Sequence, residues 1–381
     1  MKKTLCAVSV MTMAAGAAQA GGIDRSGQGL GALFETGRYM ELTFGAVNPT
    51  VSGNDVAVFG GGATGNVSQK FNQLALTYKY DINDDWSFAL VIDQPFGADV
   101  SYDATSVALG GTKATASSTA VTGLLRYKLN NGFSVYGGLR AQQAKARIDL
   151  RGAAYRSPLT PTVPGSGFDG YSVALSSDVS PGFVLGVAYE KPEIALRVAL
   201  TYNSEVKHEF DTFETVGGGA VVVGTSPTTV RTPQSVNLDF QTGVAKNTLV
   251  FGQIRWADWS TFRLDPAFFT PAAGGGLIDL EDWVTYTIGV GRKFNDNWSG
   301  SFSIQYEDAA DPLVSPLAPT NGRIGATLAA VYTRDNMKVT AGVNYTKLGN
   351  ASPETGTPDV ARARMEGSHA VSLGLRVGFR F

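Results

Sequence analysis

The chain has 381 residues, with 31 basic against 33 acidic side chains, 43% hydrophobic residues and a single cysteine. A net charge of −2 argues against nucleic acid, which calls for a basic face, and no stretch beyond the N-terminus approaches the roughly twenty apolar residues of a membrane-crossing helix. A mean hydropathy of −0.01 fits apolar residues dispersed at every second position, which is how a membrane β-barrel hides its apolar face.

Lys2 and Lys3 precede an apolar run from Leu5 to about Ala18, and Ala18-Gln19-Ala20 has the small-x-small form of a signal-peptidase site. Residues 1–20 therefore read as a secretory signal peptide. Cys6 lies at the start of the hydrophobic run and not behind it, which argues against a lipoprotein. Removal of the peptide leaves a cysteine-free chain with 29 basic and 33 acidic residues, a net charge of −4. Residues 21–37 carry glycines throughout and no alternation. Such a segment, ahead of a first strand at Tyr39, is expected to fold into a lumen as a hatch that includes Ser26, Gly27, Gln28, Gly29, Leu30, Gly31 and Phe34.

From residue 38 to residue 381 the period is two. Leu74, Leu76, Tyr78 and Tyr80 oppose Gln73, Thr77 and Lys79, and Ile194, Leu196, Val198, Leu200 and Tyr202 oppose Arg197, Thr201 and Asn203. Val236, Leu238 and Phe240 oppose Asn237, Asp239 and Gln241; Trp298, Phe302, Ile304 and Tyr306 oppose Ser299, Ser301, Ser303, Gln305 and Glu307. The last strand is the clearest: Val371, Leu373, Leu375, Val377 and Phe379 alternate with Ser372, Gly374, Arg376, Gly378 and Arg380, and the chain ends on Phe381. One face suits lipid and the other a watery lumen. The terminal aromatic is the expected contact with the barrel assembly machinery.

Tight polar connections at Asp81–Asp85, Asn130–Gly132, Lys191–Glu193, Ala245–Asn247, Asn295–Asn297 and Arg334–Met337 alternate with long ones near 49–70, 94–116, 148–168, 205–233, 259–281, 308–322 and 349–368. Six turns and seven loops require fourteen strands, both chain ends lying on the turn side. The fold class is thus all-β: a 14-stranded antiparallel transmembrane barrel in a bacterial outer membrane, bounded by lipid and lipopolysaccharide, with turns in the periplasm and loops outside. Tyr171 to Ser180 reads as an extracellular extension of the strand that follows; taken separately it would raise the count to sixteen. Tyr39, Tyr78, Tyr80, Trp86, Tyr127, Tyr189, Trp298, Phe379 and Phe381 suit an interfacial girdle at the turn end, and Trp256, Trp259 and Trp283 lie toward the opposite rim.

Chemistry for catalysis is sparse. His208 and His369 are the only histidines and no spacing joins either to a second metal ligand, so no metal, cofactor or enzymatic role is expected. His208, in Glu205-Val-Lys-His-Glu209, reads as a solvated strand edge. Gly60-Gly-Gly-Ala-Thr-Gly65 lacks the lysine and strand–helix context of a phosphate loop and reads as an outer loop. By parity Lys79, Arg140, Arg197, Asp239, Lys293, Glu307, Arg376 and Arg380 line the interior.

The glycine-rich leading segment, the strand count and three stretches together resemble the FadL-type family of outer-membrane transporters for long-chain fatty acids and other hydrophobic compounds. Tyr127-Lys-Leu-Asn-Asn-Gly-Phe133, running on to Ala144-Lys-Ala-Arg-Ile-Asp149, looks like its fourth and fifth strands. Tyr202-Asn-Ser-Glu-Val-Lys-His208 is similar to its Tyr-Arg-Ser-x-Val-x-His pattern, with Asn203 in place of arginine, and Trp86 followed by Gln94-Pro-Phe-Gly97 resembles its third strand. The resemblance implies a lumenal hatch, an inward kink near Pro95, Phe96 and Gly97 that opens the wall sideways, and basic head-group ligands around Arg140, Arg147 and Arg151. Parity places Arg140 inward and Arg147 and Arg151 on the lipid-side register unless a bulge intervenes. The family's acidic stretch and Asn-Pro-Ala ahead of the first strand are missing, since Glu35-Thr-Gly37 leads almost directly to Tyr39, so the hatch is abbreviated.

The expected function is passive uptake of a hydrophobic small molecule, fatty acids first and small aromatic hydrocarbons second. Phe268, Phe269, Leu277 and Ile278 are candidates to collect ligand in a loop. A general diffusion porin for small polar solutes and a structural or adhesive surface protein are the alternatives; a continuous apolar tunnel, an open polar pore and a blocked interior respectively distinguish them.

Overall fold

The computed structural model describes residues 23–156, 167–356 and 359–381, so the expected signal peptide and the first two residues of the expected hatch lie outside the described residues. Fourteen antiparallel strands form one closed sheet. They are β1 (Tyr39–Thr50), β2 (Phe71–Asp81), β3 (Trp86–Asp93 with Gly97–Ser101), β4 (Lys113–Lys128), β5 (Phe133–Asp149), β6 (Ser172–Lys191) and β7 (Leu196–Asn203 with Val206–Val216). The remainder are β8 (Val221–Thr232 with Ser235–Ala245), β9 (Thr248–Ala257), β10 (Trp283–Lys293), β11 (Trp298–Glu307), β12 (Arg323–Arg334), β13 (Met337–Leu348) and β14 (His369–Arg380). Each pairs with its chain neighbours, and β1 pairs with β14 from Tyr39↔Arg380 to Thr50↔His369, which leaves no free edge.

Alternation sets the two faces. Leu139, Leu328 and Ile288 stand 77%, 61% and 58% exposed on the outside, where lipid replaces water, while Ser372, Thr122 and Gln142 are buried on the inside. The tight turns hold left-handed backbone at Asn131, Asn247 and Asp335, residue types whose short polar side chains tolerate that conformation. Beside them stack Trp86 on Tyr127 at 4.7 Å, Phe133 on Tyr189 at 4.8 Å and Trp298 on Tyr332 at 5.0 Å, forming the girdle. Tyr39 departs from the expected girdle: it is buried inside and its hydroxyl donates to Glu41 Oε2 at 2.8 Å.

Three expectations for the outer half change. The segment 205–233 is no loop but a long hairpin, Val206↔Thr232 to Val216↔Val221, turned at Gly217–Gly219. Above the membrane the outward residues Lys207, Glu209 and Asp211 face water, so the strand has loop-like composition. His208 is fully buried on its inner face: Nδ1 lies 2.8 Å from Asp178 and Nε2 3.2 Å from Gln142, a satisfied core histidine and not a solvated edge. Trp259 is buried inside the outer mouth, not on a rim, edge-on to Phe96 at 5.4 Å. Tyr171 to Ser180 does join the following strand, since Ser172–Lys191 is continuous through Pro181.

The main apolar core lies beneath the outer loops and not at membrane depth. Val51, Val67, Tyr102, Leu109, Tyr171 and Trp259 belong to it, and Ile23 and Phe96 extend it into the barrel. One loop ribbon carries a pH dependence. Within Ser352–Thr355, paired to Val360–Ala361, burial and then the neighbouring Asp359 raise the Glu354 carboxyl from an ordinary 4.5 to about 7. The folded ribbon therefore binds protons that the opened one releases, so its stability is greatest below pH 4.5 and falls as pH rises toward 7. Hydrogen exchange in this ribbon, corrected for intrinsic rates, is expected to be faster at pH 8 than at pH 4.5, and Glu354→Gln to flatten the difference; an unchanged profile in that variant would refute the assignment.

Candidate functional site

Residues 23–37 run inside the barrel from the outer mouth to the periplasmic end. Glycines keep the segment thin, and a single 3₁₀ turn at Gly31–Phe34 presents Leu33 and Phe34 to the wall. Leu33 is 1% exposed among Ala89, Leu124, Val184, Ala188 and Ala199. Phe34 lies between the guanidinium groups of Arg126 and Arg197, at 4.5 and 4.7 Å from its ring centre, and edge-on to Tyr136 at 5.8 Å. Below it Glu35 pairs with Arg380 at 2.6 Å, and Gly37 N–H donates to Asp81 at 2.6 Å.

The upper end is held by charge. Asp24 pairs with Arg255 at 2.6 Å, and Arg255 also donates to Ser235 and Asn237 at 3.0 and 2.8 Å. Ser235 Oγ donates to Gln28 at 2.9 Å, Asn237 Nδ2 to the Gly27 carbonyl at 3.0 Å, and Ser26 Oγ to Asp93 at 2.6 Å. These bonds tether the segment to β3, β8 and β9 at once.

The sheet is interrupted where the segment meets β3. Strands β2 and β3 pair only from Leu76↔Ile92 to Asp81↔Ser87. Farther out the wall closes again, with Gln69 N–H donating to the Asp99 carbonyl at 3.0 Å and Ser101 N–H to that of Val67 at 2.8 Å. In between, Leu74 N–H donates to the Gln94 side chain at 3.1 Å in place of a strand. Pro95 has no N–H to give to a ladder. The backbone beyond it turns inward: Arg25 N–H donates to the Pro95 carbonyl, and Gly97 N–H to that of Ile23, both at 2.8 Å. Ser118 satisfies Phe96, whose ring points into the mouth toward Trp259.

Arg25 fills the gap. Its Nε donates to the Gly97 carbonyl at 3.0 Å and its guanidinium lies 4.1 Å from the centre of the Phe71 ring. A Cβ at Gly97 would come within 2.6 Å of the guanidinium carbon, so glycine is what lets the side chain in.

Inside the gap is a cavity of about 210 Å³ bounded by the segment and by β1–β3 and β7–β14. Its walls are mixed: Phe44, Leu74, Phe251 and Trp283 line it together with charged groups, where Glu41 pairs with Arg376 at 3.2 Å, Glu307 with Arg323 at 2.9 Å, and Asp239 accepts from Gln253 at 2.9 Å. The interior is thus apolar above the gap, mixed beside it, and filled below by Leu33 and Phe34 of the segment.

The residues expected at the site separate. Ser26, Gly27, Gln28, Gly29, Leu30, Gly31 and Phe34 fall together in the lumenal segment, and Pro95, Phe96 and Gly97 at the interruption. Arg140 points inward, donating to Thr122 at 3.0 Å and to Asn203 at 2.9 Å, so the position that departs from arginine in the motif accepts from an arginine two strands away. Arg147 stands on the outer face, 61% exposed and paired with Asp149. The register does shift between Ala144 and Ala146, but the extra residue is on β6, leaving the parity of β5 intact. Arg151 donates to the Leu150 and Tyr171 carbonyls under the loops. Phe269 packs on Phe168 at 4.4 Å and Tyr171 at 5.0 Å, and the N–H groups of Phe268 and Phe269 both donate to Glu214. Arg25, Glu41, Asp93 and Arg255 were not anticipated. Parity marks Glu41 and Arg255 as inward; the aperiodic segment gives no such signal for Arg25.

Solved structures share this architecture. A Pseudomonas aeruginosa FadL homologue superposes with a TM-score of 0.71 at 15% identity, covering 92% of each chain. The Pseudomonas putida toluene transporter TodX gives 0.64 at 15% identity, over 97% of this chain and 98% of that one. The Ralstonia pickettii toluene transporter TbuX gives 0.63 at 14% identity, over 92% and 90%. Among curated protein sequences none matches the chain. The profile of the outer membrane protein transport protein family (OMPP1/FadL/TodX) matches residues 32–381, nearly the whole described barrel, and the chain belongs to that outer-membrane transport family.

Proposed function

We propose that the protein is a passive channel for hydrophobic compounds that releases them sideways into the bilayer, with residues 23–37 as its hatch and the break at Pro95, Phe96 and Gly97 as its exit. The observation that carries this is the loss of β2–β3 pairing beside an inward-turned backbone. An apolar ligand gains about 0.8 kcal/mol per buried CH₂, a gain available in lipid and against the apolar residues of the cavity such as Phe44, Leu74 and Trp259. Long-chain fatty acids are the first substrate class and small aromatic hydrocarbons the second; the toluene transporters with similar folds support the latter. The charged cavity favours the competing reading, a porin for small polar solutes. Further proposed partners are the lipopolysaccharide around the barrel and the assembly machinery at Phe381, which is 71% exposed.

Uptake of radiolabelled oleate by cells lacking their own transporter tests the reading. The full chain is expected to restore uptake, and deletion of Ile23 to Phe34 to alter it several-fold. A correctly inserted barrel that restores no oleate uptake would remove the fatty-acid assignment, and equal failure with toluene the lateral channel.

A further inference from the structure

We infer that Arg25 is a head-group recognition residue at the wall gap, taking the carboxylate of an amphiphile whose chain passes over Phe71 toward the bilayer. The inference rests on the lateral-channel reading and names the ligand chemistry at its exit.

Three observations converge on this side chain. Four interior arginines hold carboxylates, Arg126 with Glu190, Arg255 with Asp24, Arg323 with Glu307 and Arg376 with Glu41, while Arg140 and Arg197 are held by the neutral side chains of Thr122, Asn203 and Gln241. Arg25 has no carboxylate at ion-pair distance among the described residues, and its bonding partner is a neutral backbone carbonyl. It also stands where the two solvents meet. The cavity, with the charged groups of Glu41, Asp239 and Arg255 among its lining, lies on its inner side, and Leu74, 55% exposed on the lipid face, lines the same opening. Finally, its guanidinium is seated on an aromatic ring that an alkyl chain can cover equally well.

A guanidinium binds a carboxylate through two parallel N–H···O bonds, a stronger and more directional interaction than one bond to an amide carbonyl. An arriving carboxylate therefore competes successfully for Arg25, drawing it away from Gly97 and Phe71, and the gap it vacates accepts the hydrocarbon. A neutral ligand competes only for the Phe71 face. Carboxylate amphiphiles are thus bound in preference to neutral molecules of the same shape, and Arg25 restrains the exit of the neutral ones.

Decanoic acid and methyl decanoate isolate this difference, since they share a chain and differ in the charge of the head. Equilibrium dialysis of each radiolabelled compound against the purified full chain in detergent at pH 8, with protein-free micelles subtracted, is expected to show the acid bound about tenfold or more tightly. Arg25→Gln is expected to bring the two affinities together, and Arg25→Lys to retain part of the gap, both variants keeping the heat-modifiable gel mobility of a folded barrel. Equal binding of acid and ester by the unsubstituted protein overturns the inference without requiring any variant, while leaving the channel reading in place. Persistent discrimination in Arg25→Gln overturns it likewise. Binding of neither compound removes the lateral-channel reading for lipids and this inference with it.

Discussion

Alanine in place of Phe34 is expected to turn a closed barrel into one that passes ions. The ring is held between Arg126 and Arg197 and edge-on to Tyr136. Two cation–π contacts at about 1 kcal/mol each and one aromatic pair at about the same give roughly 3 kcal/mol. Removing them raises the population of a released turn roughly a hundredfold. It also separates Arg126 and Arg197 from the apolar face between them, leaving two like charges to draw water into the vacancy. Single-channel recording in planar bilayers is the measurement: the unsubstituted chain silent, Phe34→Ala stepping between conducting levels, and Phe34→Tyr silent again. If Phe34→Ala stays silent while deletion of Ile23 to Phe34 conducts, the seal lies in Leu33 and the tethers above it, and the aromatic clamp is incidental.

Arg323→Met is expected to destabilise the barrel more than any single change at the lipid face. Arg323 and Glu307 are both almost fully buried, 2.9 Å apart on neighbouring strands, and Thr285 Oγ1 donates to Glu307 at 2.7 Å. Taking away one partner leaves a buried carboxylate with a hydroxyl alone to balance it. That situation costs about 3–5 kcal/mol, more than the pair contributes when intact. The midpoint of the heat-induced gel-mobility shift should fall in Arg323→Met and recover most of the way in the double variant with Glu307→Leu, because the penalty belongs to the stranded charge. A double variant as unstable as the single one would show that packing of the arginine stem matters more than its charge.

The barrel was legible because lipid and lumen impose opposite demands on adjacent residues. Leu373 beside Ser372, or Leu139 beside Arg140, leaves little choice of face, and the alternation of tight turns with long connections fixes the strand number. That rule loses force where both faces meet water. Lys207, Glu209 and Asp211 are as polar as loop residues, and the hairpin they belong to was hidden by composition. His208 was misread for the same reason: flanked by charges in sequence, it faces Asp178 and Gln142 across the sheet. The interior network was half legible. Parity turns Arg255 inward, yet nothing local says that its partner is Asp24, 231 residues away. Tyr39 shows the opposite failure, an aromatic at the right height but on the wrong side, kept inside by Glu41. The gap in the wall was foreshadowed by Pro95 and Gly97, whereas Arg25, which fills it, sits in a segment without any period.

The seam between β1 and β14 also bears on the order of assembly. Tyr39 and Arg380 lie at opposite ends of the barrel sequence, so the sheet becomes a ring only when its first and last strands meet. Glu35, four residues ahead of that seam, is gripped by Arg380 of the closing strand. The contact that anchors the lumenal segment therefore exists only in the closed ring. The strand that completes the cylinder is also the one that fastens the lower end of the lumenal segment, so the wall and its filling share one lock.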